Sequence, residues 1–151
     1  PAAHESNTRR LLVNLSASEP KRRWGDAQFI AVLRAVRAVA PALRIVVIRL
    51  PAEWDSVQRV AHAVHAYPAK TPALRQALAL VGTSHCVFTP DTSISHAASA
   101  FRKPAVVLLK GDHAPYAPWN IPGEIVYWRD ERIHDLPVDA VSGPVVRLVT
   151  R

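Results

Sequence analysis

One segment of the sequence places hydroxyl, carboxylate and imidazole groups at the start of a predicted helix. An apolar run ends at Thr89, residues 91–96 (Asp-Thr-Ser-Ile-Ser-His) follow, and small residues come next. The backbone N–H groups at a helix amino terminus are unpaired and carry partial positive charge, which suits a phosphate or diphosphate. Thr92 and His96 are four residues apart and share a helix face. An N-cap at Asp91 or Thr92 and a buried, partnered His96 form the purely structural alternative.

A second segment places cations after the first predicted strand. Asn14, Ser16 and Ser18 lie at the end of that strand and in the following loop, and residues 21–24 (Lys-Arg-Arg-Trp) come next. Hydroxyl and guanidinium groups together can bind a phosphorylated ligand. The alternative is a solvated basic loop with Trp24 packed against the next helix. A nucleic-acid patch is disfavoured, because neither interleaved aromatics nor a recognition-helix pattern accompanies the cations.

Several common catalytic motifs are missing. Glycines occur at positions 25, 82, 111, 123 and 143, which allows neither GxGxxG nor a Walker A loop and disfavours a dehydrogenase or P-loop enzyme. There is no GxSxG elbow, and His62 and His65 lack the glutamate of a zinc-protease motif, so we assign both to a solvated helix face. The single cysteine, Cys86, permits no internal disulfide, and we predict that it is buried in a strand, with a reactive thiol as the alternative.

The elements that must position these segments alternate between strands and helices. Strands are predicted at residues 10–15, 43–50, 85–89, 105–109 and 124–128, and helices at 26–40, 53–65, 71–82, 92–101 and after Pro137. We interpret Thr71 and Pro72 as the N-cap and first-turn proline of the third helix and Gly82 as its end. Residues 143–144 (Gly-Pro) are expected to interrupt the last helix.

This alternation predicts an α/β fold, with a Rossmann-like, doubly wound, mainly parallel sheet. Its buried residues should include Leu12, Val13, Val46, Val47, Val87, Phe88, Val106 and Val107. Ligands of such sheets bind beyond the carboxyl ends of the strands, so the loops after residues 15, 50, 89 and 109 should line the site.

Composition agrees with a soluble globular domain. The 151 residues, 49% hydrophobic and 21% charged, suit a single domain, and the absence of methionine suggests a piece of a longer protein. The net charge is +7, and residues 1–50 hold nine Lys and Arg residues against three acidic ones. Such local charge favours an anionic partner, which could be a nucleic acid, an acidic membrane surface or a phosphorylated small molecule.

The two segments together resemble a known enzyme family. Residues 14–18 (Asn-x-Ser-Ala-Ser) with 21–24, then 91–98 (Asp-Thr-Ser-x-x-His-x-Ala) with 103–104 (Lys-Pro), resemble the carboxyl-terminal half of the family 9 glycosyltransferases, the ADP-heptose:lipopolysaccharide heptosyltransferases and their relatives. The resemblance covers almost the whole chain. It implies that residues 1–151 form the nucleotide-sugar lobe of a two-lobed GT-B enzyme whose acceptor lobe is absent.

The resemblance also implies residue roles. The diphosphate and sugar would be bound by Asp91, Thr92, Ser93 and His96, and the phosphates also by Ser18 and Arg22, with Lys21 as a substitute. The ribose would be held by Glu53, with Asp55 as a rival, and the adenine would lie by Thr71. Ser93 stands where the family usually has glycine, and Gly25 where it has proline.

The resulting prediction is the donor-binding domain of an inverting glycosyltransferase in lipopolysaccharide biosynthesis. An acceptor hydroxyl would attack the anomeric carbon, and Arg22, Lys21 and the helix terminus at Thr92 would stabilise the leaving diphosphate without a metal or other cofactor. The catalytic base belongs, by the resemblance, to the absent lobe, so this chain alone should transfer nothing.

The expected partners are an ADP-linked nucleotide sugar and a glycolipid or glycan acceptor, with no nucleic acid. The full-length enzyme should be cytoplasmic and peripheral to the inner face of the membrane. Two other functions remain open. One is a non-catalytic nucleotide-binding or scaffold module, and the other is a basic nucleic-acid-binding domain, which steep salt dependence would identify.

Overall fold

Six strands in the described part of the chain form one sheet. The computed structural model describes residues 9–17, 23–49, 54–71, 73–111, 122–129 and 133–151. The strands are β1 (Arg10–Asn14), β2 (Arg44–Ile48), β3 (Tyr67–Pro68), β4 (Cys86–Pro90), β5 (Ala105–Lys110) and β6 (Gly123–Trp128). The helices in the described part are α1 (Asp26–Val39), α2 (Trp54–Ala63), α3 (Leu74–Thr83), α4 (Ser93–Ala100) and α5 (Val138–Val149), with a 3-10 turn at Ile133–Asp135.

The strand order is β3-β2-β1-β4-β5-β6, and each neighbouring pair is parallel. The chain winds outward from β1 in one direction through β2 and β3, then returns to the centre and continues through β4 to β6. The direction of winding therefore reverses between β1 and β4. In sheets of this kind the loops diverge at that point and open a crevice at the carboxyl ends of the two strands. The Rossmann-like, doubly wound prediction is confirmed.

Helices cover both faces of the sheet. Alternate strand residues, such as Val13, Val47 and Phe88, pack with α1, α2 and α5, while Leu12, Val46 and Val87 face α3 and α4. Parallel strands buried on both faces need nearly continuous apolar sequence, which explains the runs in β1, β2, β4 and β5. The eight residues predicted to be buried in the sheet are all buried.

Trp24 belongs to the first of these cores. Its ring meets Phe29 at 5.1 Å and Phe88 at 6.3 Å between centroids, in both cases edge to face. Its indole Nε1 donates to the Leu136 carbonyl at 3.1 Å. The packing of Trp24 against the next helix, α1, is therefore observed.

The third helix differs from its prediction. It begins at Leu74, and the Gln76 side chain accepts a hydrogen bond from the Ala73 N–H at 2.8 Å. Thr71 is not its N-cap, because the buried Thr71 hydroxyl donates instead to the Arg49 carbonyl at 3.4 Å; Pro72 lies outside the described residues. The helix also continues through Gly82 and ends at Thr83. A glycine that ends a helix usually adopts a positive φ, and Gly82 does not.

Two further elements were mispredicted. β3 was missed because it has two residues, too few to show alternation. α5 continues across Pro144, where an interruption was expected. The proline removes one backbone donor, but Val141, Val145 and Leu148 are buried along the same helix and hold it against the sheet.

The single cysteine is buried, and the two histidines assigned to a solvated face are exposed. Cys86 is buried in β4, and burial raises the pKa of its thiol to about 11. His62 and His65 are exposed, although His65 lies beyond the end of α2, in a left-handed conformation with φ 54°. No helix in the described part of the chain has the length and apolar character needed to cross a membrane.

Candidate functional site

A buried asparagine joins the elements at the crevice between β1 and β4. Asn14 is fully buried, and its Nδ2 donates to Thr89 Oγ1 at 3.0 Å and to Thr92 Oγ1 at 3.1 Å. Its Oδ1 accepts from the Ser16 N–H at 3.0 Å. Both amide protons and one lone pair are thus used. The side chain fixes the end of β1, the end of β4 and the start of α4 relative to one another.

Thr92 is the N-cap of α4. Its backbone is extended, with φ −148°, and its Oγ1 accepts from the Ile94 N–H at 3.1 Å. The same oxygen accepts the bond from Asn14, so the cap is tied to β1 as well as to its own helix. Of the two N-cap candidates, Asp91 and Thr92, the structure shows that Thr92 caps the helix. The amino terminus of α4, with its partial positive charge, therefore opens at the crevice.

Asp91 and His96 lie on either side of this cap. His96 Nε2 is 4.0 Å from Asp91 Oδ1, and the two side chains are 57% and 23% exposed. Ser95 Oγ lies 3.3 Å from Asp91 Oδ1 and 2.7 Å from the Thr92 carbonyl. The Ser95 hydroxyl has one proton, which it donates in the shorter bond, to the Thr92 carbonyl. The Asp91 carboxylate is therefore held only weakly. The buried-histidine alternative is wrong for His96, whose imidazole is open to solvent beside a carboxylate.

The end of β2 forms the neighbouring part of this end of the sheet. The Thr71 hydroxyl bonds to Arg49, immediately after β2, and faces inward. Next to it, Lys70 Nζ lies 5.0 Å from the centroid of the Trp54 ring, at the start of α2. A ligand that reaches this position would meet the Lys70–Trp54 pair before the buried Thr71 hydroxyl. This pair was not predicted as part of a site, although Trp54 directly follows the predicted ribose residue Glu53.

On the other side of the crevice, β5 ends at Lys110. Its Nζ lies 5.7 Å from the centroid of the buried Trp128 ring, which ends β6. Cations therefore stand beside aromatic rings on both sides of the crevice. We name the surface formed by the strand ends and helix starts the carboxyl end of the sheet. The described residues also contain no group of three or more His, Cys, Asp or Glu side chains that could together hold a metal ion.

Solved structures resemble this chain although sequence comparisons find nothing. No protein-family model matches the sequence, and no curated protein matches it. The E. coli heptosyltransferase WaaC with ADP aligns with a TM-score of 0.75 and 14% identity, over 97% of this chain and 46% of that one. The fold is that of a family 9-like glycosyltransferase.

Two other enzymes support the same fold. E. coli ADP-heptose lipopolysaccharide heptosyltransferase II gives a TM-score of 0.73 at 14% identity, over 96% of this chain and 47% of that one. A family 9 glycosyltransferase from Veillonella parvula DSM 2008 gives 0.68 at 19% identity, over 84% and 38%. The chain spans less than half the length of each of these enzymes. Its six-stranded parallel sheet with flanking helices matches the GT-B glycosyltransferase architecture.

The predicted site residues divide into two groups. Asp91, Thr92, Ser93, His96 and Thr71 lie at the carboxyl end of the sheet. Ser18, Lys21, Arg22 and Glu53 lie outside the described residues, so their place in one cleft with the others stays a prediction. Asp55, the rival of Glu53, is exposed in the first turn of α2.

The part played by Asn14 was not predicted from the sequence, where Asn14 was only one residue of a motif. A signal was available: Asn14 is a polar residue inside a run of apolar residues predicted to form a buried strand. A buried amide needs partners for its donors and acceptor. The hydroxyls of Thr89 and Thr92, at the end of another predicted strand, were the available candidates.

Proposed function

We propose that this chain is the donor-binding domain of an inverting, metal-independent glycosyltransferase that uses an ADP-linked, heptose-like sugar. The observation that carries the proposal is the Asn14 hydrogen-bond network, which fixes the amino terminus of α4 at the point where the sheet winding reverses. The fold of ADP-heptose-dependent enzymes supports it. Glycosyl transfer is the activity that these neighbours share by name.

In the proposed reaction, an acceptor hydroxyl attacks the anomeric carbon while the bond from that carbon to the diphosphate oxygen breaks. Negative charge then grows on the leaving diphosphate. The N–H groups at the start of α4 stabilise it, since their dipoles are already oriented before the reaction. Arg22 and Lys21 add full charges from the basic loop. The acceptor, a lipopolysaccharide core or another glycan, and the base that deprotonates it belong to a second lobe.

The remaining donor contacts follow from the same end of the sheet. The exposed His96 imidazole and the weakly held Asp91 carboxylate suit sugar hydroxyls, because one can donate and the other accept. Glu53 holds the ribose. Since the Thr71 hydroxyl is buried and already bonded to Arg49, the adenine near Thr71 contacts the adjacent Lys70 and Trp54 side chains.

Calorimetric titration of the 151-residue chain tests the proposal. ADP and ADP-heptose should bind, UDP and GDP should bind more weakly, and a chelator should leave the affinity for ADP unchanged. The chain given ADP-heptose and a lipopolysaccharide core acceptor should transfer no sugar above background.

A matched control compares an arginine of the predicted site with an arginine elsewhere on the surface. Arg22→Gln should weaken ADP binding, whereas Arg34→Gln, on the exposed face of α1, removes the same charge and should not. Absence of nucleotide binding, or tighter binding of long polyanions than of ADP, would contradict the proposal. Turnover by this chain alone would show that the base lies within it.

A further inference from the structure

The opposite end of the sheet concentrates positive charge. We name this surface, formed by strand starts and helix ends, the amino end. Its described cationic residues are Arg9, Arg10, Arg37, Arg44, Arg102, Lys103, Arg147 and Arg151. The acidic residue described there is Glu124, whose carboxylate is 2.8 Å from Arg147 Nη2. The other described acidic residues lie at helix starts or in the loops after strands, toward the carboxyl end.

Part of this charge has a structural explanation. Arg37, in the last turn of α1, donates to the carbonyls of Val64 and His65 at 2.9 Å each. Arg9 Nη1 donates to the carbonyls of Val149 and Arg151 at 3.2 and 2.9 Å. Carbonyl oxygens at helix ends carry partial negative charge and favour such cations. These two arginines therefore stabilise the fold itself.

Arg10 and Arg44 are not explained in this way. They are paired in register at the starts of the adjacent strands β1 and β2. Arg10 bonds through its guanidinium to the neutral hydroxyls of Ser84 and Thr83, and the side chain of Arg44 has no hydrogen-bond or ion-pair partner among the described residues. Like charges on neighbouring strands repel. A cavity of about 680 Å³ beside them is lined by no carboxylate from the described residues.

Apolar side chains are exposed beside these cations. Phe101 follows the end of α4, is 50% exposed and precedes Arg102 and Lys103. Val39, the last residue of α1, is also 50% exposed. Cations next to exposed apolar groups on the same surface form the pair of signals that holds a protein at a lipid interface.

We propose that the amino end of the sheet binds the surface of an anionic phospholipid bilayer. The cations follow the strand starts from β2 to β6, a span of about 20 Å at the usual strand spacing, and a line of that kind fits a plane. Arg44 and Arg10 bind lipid phosphates, and Phe101 enters the headgroup region. Single-stranded nucleic acids bind in grooves where successive bases stack on aromatic side chains. On this surface Phe101 and Tyr67 lie beside different strands, so they do not favour a nucleic acid.

Vesicle co-sedimentation tests this inference, which does not depend on the proposed donor. The chain should bind vesicles containing phosphatidylglycerol, should not bind pure phosphatidylcholine vesicles, and should be released as salt is raised. Replacing Arg44 and Arg102 together with Gln should lower the partition coefficient about 25-fold, at roughly fivefold per cation. Phe101→Ser should lower the binding that survives at raised salt.

The matched control removes two cations elsewhere. Arg34 and Arg75 are exposed on α1 and α3, and replacing both with Gln should change partition less than twofold. Equal losses in the two double variants would overturn the inference, because net charge alone would then explain binding.

Three other results would also overturn it. The first is that the chain does not bind anionic vesicles. The second is that it binds an oligonucleotide more tightly than vesicles, and that changing Arg44 and Arg102 weakens both kinds of binding equally. The third is that inorganic pyrophosphate binds at these residues while vesicles do not bind. The ADP affinity of the Arg44 and Arg102 variant should equal that of the wild type, so failure here is distinguishable from failure of the donor-binding proposal.

Discussion

The two ends of the parallel sheet use their polar groups in opposite ways. At the carboxyl end, short side chains such as Asn14, Thr89 and Thr92 bond to one another and hold helix starts in place. At the amino end, long cationic side chains such as Arg9 and Arg37 reach backbone carbonyls. The difference follows from chain direction, because in this fold helices start at one end of the sheet and finish at the other. One end therefore suits a specific anion, and the other gathers cations.

The largest expected effect tests the buried network at the carboxyl end. Asn14→Ala leaves Thr89, Thr92 and the Ser16 N–H short of a buried partner, and should cost about 3 kcal/mol in the free energy of unfolding. It should also weaken ADP binding by about tenfold or more, because the cap of α4 loses its link to β1. Urea denaturation and calorimetry measure the two effects.

Ser84→Ala is the matched control at the amino end. Ser84 is buried, its hydroxyl donates to the Leu80 carbonyl at 2.6 Å, and it accepts from Arg10. Its loss should cost about 1 kcal/mol and leave ADP affinity unchanged. If both variants changed ADP affinity equally, the effect of Asn14 would be one of global stability, and the contrast between the two ends would fail.

The next effect compares charge with helix dipole at the carboxyl end. Arg22→Ala should weaken ADP binding by about 1.5 to 3 kcal/mol, or roughly tenfold to hundredfold, and Thr92→Ala by about 1 kcal/mol. The Arg22 effect should shrink as salt is raised, since salt screens the attraction between charges. Because Lys21 can substitute for Arg22, changing both residues should give the larger loss. A larger loss for Thr92→Ala would place the main phosphate contact at α4.

A smaller effect separates sugar from phosphate. Asp91→Ala should lower nucleotide-sugar affinity by about fivefold, because the loss of a hydrogen bond to a charged group, worth about 1.5 to 3 kcal/mol, is partly offset by relief of the repulsion between the carboxylate and the diphosphate. It should leave ADP affinity unchanged or slightly higher. A carboxylate near a diphosphate repels it, so removing the carboxylate does not harm ADP. Titration with both ligands decides the matter, and equal losses would make Asp91 structural only.

The smallest effect lies at the amino end. The side-chain hydrogen bond from Arg147 lowers the pKa of Glu124, so the folded protein holds this carboxylate ionised at a lower pH than the unfolded chain does. The stabilisation is present above the ordinary pKa of Glu124 and is lost as pH falls through the lowered value. Glu124→Gln should thus be slightly less stable than the wild type near neutral pH and equal to it in acid. Thermal unfolding against pH measures this, and a difference that grew in acid would reverse the assigned sign.

The fold could be predicted from the sequence because apolar runs and helical periodicity alternate along the chain. The eight core residues followed from the same local signals, which also limited the N-cap of α4 to Asp91 or Thr92. Local signals failed where a distant residue decided the outcome. The local sequence at Thr71 is typical of an N-cap, but its hydroxyl bonds to the Arg49 carbonyl. The local sequence at Pro144 is typical of a helix end, but the helix continues because its buried residues hold it against the sheet.

The candidate site was predicted to a lesser extent for the same reason. The position of the Asp91 and His96 segment follows from strand order and helix start. Two of the three bonds of Asn14 join it to residues 75 and 78 positions away, Thr89 and Thr92, and no local pattern encodes them. The roles carried over for Ser18, Lys21, Arg22 and Glu53 stay predictions.

The central position of β1 has a consequence for the order of folding. β1 is the first of the described strands, yet one of its two partners, β4, begins about 75 residues later. Until that partner is made, a growing chain holds β1 paired with β2 on one side only, with apolar residues and unpaired backbone groups on the other. Pairing across such a distance is slow to form. A chain truncated at residue 84 keeps β1, β2, β3 and helices α1 to α3. We expect it to aggregate rather than fold, as measured by light scattering during refolding.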